Sequence, residues 1–334
     1  MGEGGAQGPK PTASIVIVSK DEPAIAATLA RLDEEVALTV PDVLAGVEVV
    51  VVDASSGRLA DIQDAFPKVH WIDFEPPAGA RITIAHQRNV GARAATGGII
   101  VFTDCGCVPE RAWLRRLVEP IASGEERMTC GRVGATGTVD LFARVQLDRQ
   151  GREYLKECPT INVAFGRDVL NDVGDFDESF EYGSDIDFSW RAVHRGVRIK
   201  YLRDAVVLHD WGSRRRQVRR SFAYGKGRAR LYAKHVFGSG AESSRKRRFD
   251  EHDAVPVVYS LFLLGLPVAV RFRAYLLLLL IPLWRSRSQR PVYTLVDHLV
   301  LAAGVLVGAC EEAGRVAGVG RGAGPPRAPR DSGR

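Results

Sequence analysis

Cysteine is scarce in this 334-residue chain. There are five, with no Cys-x-x-Cys pair, which excludes a disulfide scaffold and argues against a structural zinc site. The first eleven residues contain no apolar run, so no secretory signal peptide is expected there and a cytosolic catalytic face is the default. No internal repeat is present. No uncharged stretch reaches the ~20 residues that carry a helix across a bilayer; the longest, Ala254–Val270, has 17. Acid is nearly missing from one segment. Between Ser213 and Arg248 stand thirteen Lys or Arg against one acid, Glu242, and this block accounts for the net charge of +6, the rest being slightly acidic. With 46% hydrophobic and 26% charged residues, the chain as a whole is globular, not disordered.

The patterning in the first hundred residues alternates. Ser14–Ser19 (SIVIVS), Val47–Val52 (VEVVVV) and Ile99–Thr103 are short runs rich in β-branched residues, and Val69–Phe74 reads as a further strand between the second and the last of them. Between them, residues 23–38, Leu59–Phe66 and Ile84–Ala95 carry helical spacing. A β-α-β-α-β-α-β order predicts an α/β fold with a mostly parallel central sheet and helices on both faces. Such sheets bind ligands at the carboxyl ends of their strands, where Asp53 and Asp104 stand. Further on, Trp113–Ile121 and Asp185–Gly196 read as helices, Asn162–Gly166 as a short strand and Val197–Leu208 as two short strands. The organisation expected is a flexible tail over 1–12, a catalytic domain over 13–212, a basic segment over 213–250, apolar helices over 251–312 and a disordered Gly/Pro/Arg-rich tail over 313–334.

Five segments in this order, SIVIVSKDEP, VEVVVVDASSG, HQRNVGARAATGGIIVFTDCGCVP, INVAFGRDVLNDVGDFDESFEYGSDIDFSWRAVHRG and VVLHDWG, resemble glycosyltransferase family 2, whose domain has the GT-A fold. The resemblance covers 14–212, about 60% of the chain. It implies hexosyl transfer from a nucleotide-sugar donor to an acceptor hydroxyl, with inversion at the anomeric carbon. It also implies a divalent metal, Mg²⁺ or Mn²⁺, at the donor diphosphate.

Carried onto this chain, the resemblance gives Asp53 to the nucleoside and places Ser19, Arg88, Asp104 and Trp211 among the donor contacts. A carboxylate at Asp53 accepts hydrogen bonds from a base or ribose; the plainer reading is a turn cap shared with Ser55 and Ser56. Arg88 would neutralise phosphate charge with a bidentate guanidinium, with Arg81 and Arg93 as neighbours and Arg93 better read as a solvated helix face. Where the family has Asp-x-Asp after the fourth strand, this chain has Asp104-Cys105-Gly106, so one acid remains for the cation. His209, at the end of the VVLH run, is the candidate second metal ligand. Cys105 and Cys107 read as small buried residues. Ser184-Asp185-Ile186-Asp187 stands where the family has Glu-Asp-x-Asp, making Asp185 the general base and Asp187 a helix-start acid. Asp175 and Asp177 would shape the loop before it. The acids replaced by Ala54, Gly106 and Ser184 motivate the alternative of a non-catalytic or metal-independent nucleotide-sugar-binding protein.

Two segments bear on partners. In the basic block Phe222, Tyr224, Tyr232 and Phe237 interleave with the cations, but no nucleic-acid-binding motif accompanies them, so no nucleic-acid partner is expected. The block precedes the apolar segment and fits a cytosolic polybasic stretch drawn to anionic lipid at about 1 kcal/mol per basic residue. Ala254–Val270 and Ala274–Trp284 flank Arg271-Phe272-Arg273, and Leu299–Cys310 is a third uncharged run. A re-entrant or interfacial hairpin is expected in preference to a span, placing the enzyme at the cytoplasmic face of the cell membrane, near a hydroxyl acceptor that is lipid-linked or membrane-proximal. Packing of the same helices on the catalytic domain, in a soluble protein, is the alternative.

Overall fold

β-Branched runs too short for helices become strands. The computed structural model describes residues 9–40, 42–75, 83–136, 151–238, 249, 253–285 and 291–319. Its first elements are β1 (Thr12–Ser19), α1 (Ile25–Thr39), β2 (Gly46–Asp53), α2 (Ala60–Ala65), β3 (His70–Asp73), α3 (Ile84–Ala94) and β4 (Ile99–Asp104). These strands pair in parallel in the order β3-β2-β1-β4. Successive side chains of β1 go to opposite faces. Ile15 and Ile17 pack with Ile25, Leu29 and Leu32 of α1, whereas Val16 packs with Ala85 and Ala92 of α3.

The sheet continues through β5 (Val108–Pro109), α4 (Trp113–Ala122), β6 (Met128–Thr136), β7 (Tyr154–Leu155), β8 (Asn162–Gly166), α5 (Arg167–Val173), α6 (Ser184–His194) and β9 (Ile199–Asp210). The order β4-β8-β6-β9-β5, with β7 also on β9, completes nine strands. β8 runs antiparallel to both neighbours while β6 and β9 are parallel. The parallel core is thus extended into a mixed sheet. The segment read as two short strands over 197–208 is one twelve-residue strand, β9.

Its partner β6 shifts register between Gly131 and Arg132. The carbonyls freed there are satisfied by Asn162, whose Nδ2 donates to Arg132 O and Ala205 O, both at 2.9 Å, while its Oδ1 accepts from Trp113 Nε1 at 2.8 Å. A Cβ on Gly131 would lie 2.3 Å from Asn162 Nδ2, so this approach requires glycine. Asn162 is fully buried. Asn162→Ala is expected to cost about 3–5 kcal/mol, since it strands several buried polar groups at once. A fall in the urea midpoint with unchanged slope would record it.

The chain divides into two compact units after Gln217. α7 (Arg214–Tyr232) crosses the division and ends in a π-helical turn, Ala233–Phe237. The basic segment is therefore helical over most of its described length. The second unit then has α8 (Ala254–Leu264), α9 (Leu266–Arg271), a 3₁₀ helix (Arg273–Leu279), α10 (Leu280–Arg285) and α11 (Pro291–Val319). The uncharged run 254–270 is broken at Gly265. Leu299–Cys310 is the middle of the 29-residue α11, which carries helix to Val319, through the start of the stretch expected to be disordered.

Candidate active site at the strand ends

Parallel register decides which residues meet. Ser19 lies opposite Asp53, and Val18 opposite Asp104, so the ends of β2, β1 and β4 form one edge. Gln87 of α3, buried, ties that edge together by donating from Nε2 to Ser19 O (2.9 Å) and Val52 O (3.1 Å). Sequence reasoning passed over Gln87, which carries no family signal. β9 runs in the same direction as β4, through β6 and β8, so His209 ends at this edge too.

Asp53 is 1% exposed. Its Oδ1 accepts from Ser55 Oγ at 2.5 Å, and Ser55 Oγ in turn accepts from the Asp21 N–H at 2.7 Å. Asp21 and Ser56 have φ of 55° and 53°, left-handed values that cost a non-glycine residue energy and recur at ligand sites. The turn reading of Asp53 with Ser55 thus describes one of its oxygens. The other, Oδ2, is buried with no hydrogen-bond partner among the described residues. A buried carboxylate oxygen without a donor is costly, and a ligand N–H or O–H would satisfy it.

At the end of β4, Asp104 is about one-third exposed, with Oδ1 4.0 Å from Arg88 Nη2. Gly106 takes φ +79° and donates its N–H to Thr28 Oγ1. Cys105 Sγ lies 3.9 Å from Ser19 Oγ, and burial pushes its thiol up to about 12. Burial raises Cys107 as well. In both thiols burial disfavours the thiolate form.

Arg88 is buried and reaches across the edge. Nη1 donates to Ser184 Oγ (3.3 Å), and the guanidinium lies 5.8 Å from the Phe176 ring centre. It thereby links β4 to the start of α6, where Asp185 follows Ser184. Half-buried Asp185 accepts the Ile186 N–H at Oδ1. Burial raises its pKa above the usual carboxylate value; Arg88 opposes the shift and the Asp104 charge adds to it. Asp187 differs. It is fully buried, and its Oδ2 accepts from Arg191 Nε at 2.8 Å, while Arg191 also donates to Val173 O and Asp175 O. Asp187 holds a loop as well as standing at a helix start.

The loop before α6 is clamped from α3. Asn89 Nδ2 donates to Phe176 O and Glu178 Oε1, and its Oδ1 accepts the Phe176 N–H. Arg93 pairs with Asp175 at 2.6 Å and so shapes the loop as well as lying in solvent. Asp177 Oδ1 accepts from the Ser179 N–H at 2.9 Å. His209 Nδ1 is 3.6 Å from Cys107 Sγ, and its ring meets Trp211 edge-on at 5.0 Å. Trp211 is 6% exposed and belongs to the core cluster with Ile17 and Val207. Arg81 lies outside the described residues. Among the described residues no three His, Cys, Asp or Glu side chains group as a metal site. Asp104 and His209 both end strands that run to this edge, and a carboxylate oxygen and an imidazole nitrogen are donor types that divalent cations accept.

Residues 14–176 match the family model for Glycosyl transferase family 2. A pre-mycofactocin glycosyltransferase of Mycobacterium tuberculosis is 27% identical over 212 residues, 58% of this chain and 44% of that protein. Glycosyltransferase AglE of Haloferax volcanii is 27% identical over 153 residues, 43% of this chain and 50% of that one. The chain thus spans about half the length of these curated relatives. A solved mannosyltransferase of Pyrobaculum calidifontis, in complex with GDP-Man and Mn²⁺, superposes with a TM-score of 0.64 at 20% identity, covering 91% of this chain and 88% of its own. That likeness establishes the shared GT-A fold.

Proposed function

Residues 14–176 belong to glycosyltransferase family 2, and from that premise we propose that the chain is an inverting hexosyltransferase using a nucleotide-sugar donor and an acceptor hydroxyl. The observation that carries this reading is the single edge shared by Asp53, Asp104 and Arg88, with Asp185 brought to it by Arg88 through Ser184. Asp53 Oδ2 takes a hydrogen bond from the nucleoside. Arg88 faces the diphosphate. Asp185 removes the acceptor proton as that oxygen bonds to the anomeric carbon and the bond to the diphosphate breaks on the opposite side, which inverts the centre. Ser19 contributes position, since its carbonyl is engaged by Ala54 and Gln87. Trp211 supports His209 from the core. A Mg²⁺ or Mn²⁺ ion, where bound, would sit on Asp104 and His209 and offset diphosphate charge.

The exposed apolar residues of the second unit support a membrane-proximal acceptor and a place at the cytoplasmic face of the cell membrane. The replacements Ala54, Gly106 and Ser184 favour a second reading, a non-catalytic or metal-independent nucleotide-sugar-binding protein. A panel of nucleotide sugars separates the two, with thermal shift scoring binding and product formation scoring transfer. Binding without transfer to any acceptor class would leave the second reading. Asp53→Ala is expected to weaken the bound donor about 10- to 100-fold, the worth of a hydrogen bond to a buried charge, with melting temperature maintained. Unchanged donor affinity would remove Asp53 from the nucleoside site.

A further inference from the structure

Two segments of the second unit are apolar enough to meet a bilayer, and they differ in what covers them. α11 is the one helix among the described residues long and apolar enough to cross a membrane, by length and composition, over Pro291–Arg315. Yet one of its faces is closed by α7. A Cβ on Gly304 would fall 2.1 Å from Phe222 O, and one on Gly308 would fall 2.9 Å from Lys226 Cα, so the two backbones touch. Lys226 pairs with Glu311 at 2.7 Å and Arg230 with Glu312 at 3.2 Å. From Val218 to Tyr232, α7 carries five cations and no acid. Asp297 of α11 is itself buried, and the His298 ring lies against Tyr259 at 4.8 Å. Moving α11 into hydrocarbon would drag a polycationic helix with it or strip the glycine face bare.

The segment 261–284 has the opposite character. Leu264, Val270, Phe272, Leu277, Ile281 and Trp284 are each more than half exposed, a concentration of exposed large apolar side chains that marks an interaction surface. Its helices are short. The 11 residues of α8 extend only about 16 Å. The chain leaves helical geometry at Phe272 and folds back, with the Tyr275 ring stacked on Phe262 at 5.1 Å. Arg271 and Arg273, both exposed, stand at that bend. In a hairpin driven end-on into the bilayer, these two guanidinium groups would be its deepest point. Lying flat, they reach the headgroups while the apolar side chains enter the acyl boundary. From Ala254 to Val296 the sequence holds five Arg and no acid, which complements anionic lipid. A symmetric contact between two copies would instead set Arg271 and Arg273 against themselves.

We infer that the segment 261–284 is an in-plane anchor seated in one leaflet of an anionic bilayer, and that α11 stays on the aqueous side as the rib carrying it. The inference rests on the membrane-proximal part of the function proposed above and is independent of the transfer chemistry. Cys310 is exposed, whereas Cys107, Cys130 and Cys158 are buried and Cys105 is half-buried, which makes Cys310 a native probe. Full-length protein is added outside sealed phosphatidylcholine vesicles with and without phosphatidylglycerol. Flotation should require phosphatidylglycerol. Leu277→Asp with Ile281→Asp, both on the exposed surface, should reduce partitioning by at least about tenfold, with circular dichroism and melting temperature unchanged. Cys310 on bound protein should react with an impermeant maleimide as fast as in free protein. A tryptophan reporter at the bend, Phe272→Trp in a Trp284→Phe background, should be quenched most by lipids brominated near the carbonyls. Protection of Cys310 relieved only by detergent would show α11 spanning, and strongest quenching from bromines near the chain methyls would show an end-on hairpin. A monodisperse dimer that does not float would assign the surface to a second copy. Each of these three outcomes overturns the inference, and none reads donor binding or transfer, so the transferase proposal would stand.

Discussion

Asp185→Asn is expected to yield a folded protein that binds its donor yet turns over about 10²- to 10⁴-fold more slowly, the range that a positioned general base contributes. The change is nearly isosteric. Asn Oδ1 can still accept the Ile186 N–H that Asp185 Oδ1 accepts, so the first turn of α6 is preserved. Lost basicity should therefore appear in kcat, with donor affinity little altered. Equal losses in donor affinity and kcat would assign Asp185 to the frame of the site. The pH profile tests the same point. Burial raises the Asp185 pKa, Arg88 opposes the shift and Asp104 reinforces it, so the acid limb of kcat should lie above the ordinary carboxylate range and vanish in the Asn variant.

The same shift carries a stability consequence of definite sign. A carboxyl whose folded-state pKa exceeds its unfolded value stabilises the fold fully below the unfolded value of 3.8, and that contribution is lost as pH rises through the folded value. At neutral pH the ionised Asp185 is a cost. Asp185→Asn should thus melt higher than the parent at pH 7 while being nearly inactive. A variant that melted lower would show that the charge serves the fold.

The parts of this arrangement legible in the sequence are those fixed by local pattern. Short β-branched runs bounded by turn residues favour buried strands, and the residue ending each run follows directly, so Asp53 and Asp104 could be placed at strand ends. Arg88 and Asp185 were visible through spacing shared with a family. What escaped was long-range or lay in residues with no apolar signature. β6, MTCGRVGAT, has no run to mark it and exists through its pairing with β8 and β9. Asn162 reads as an ordinary strand residue, yet its amide holds the β6–β9 irregularity and Trp113 together. Glu35 sits among the charges of α1, and only the fold reveals that it is fully buried, accepting from the Ala112 and Leu114 N–H groups at the start of α4. α11 was obscured because Asp297 and His298 interrupt the apolar count, whereas in the folded helix Asp297 is buried and His298 half-buried against Tyr259.

Asp104→Ala is expected to lower kcat/KM by about 10²- to 10³-fold, the scale of removing one preorganised electrostatic group from a polar transition state, and His209→Ala by about tenfold, as for a weaker partner of the same ion. The reason lies in the charges already at the edge. Asp104 and Asp185 both feel one guanidinium, that of Arg88, which is buried against Phe176 and lies 4.0 Å from the Asp104 carboxylate. A donor diphosphate adds about two further negative charges. One cation does not balance four anions in a partly desolvated site, and a divalent ion is the simplest counterweight. Excess chelator should therefore suppress transfer in the parent protein, with Mn²⁺ or Mg²⁺ restoring it, while Asp104→Ala should respond to neither. The opposite pattern has an equally specific meaning. If chelator leaves the parent fully active and Asp104→Ala binds donor more tightly, Asp104 is merely a competitor for Arg88, and the guanidinium alone carries the diphosphate. Arg88→Lys would then be the damaging substitution, since it keeps the charge and loses the planar two-pronged fit to phosphate.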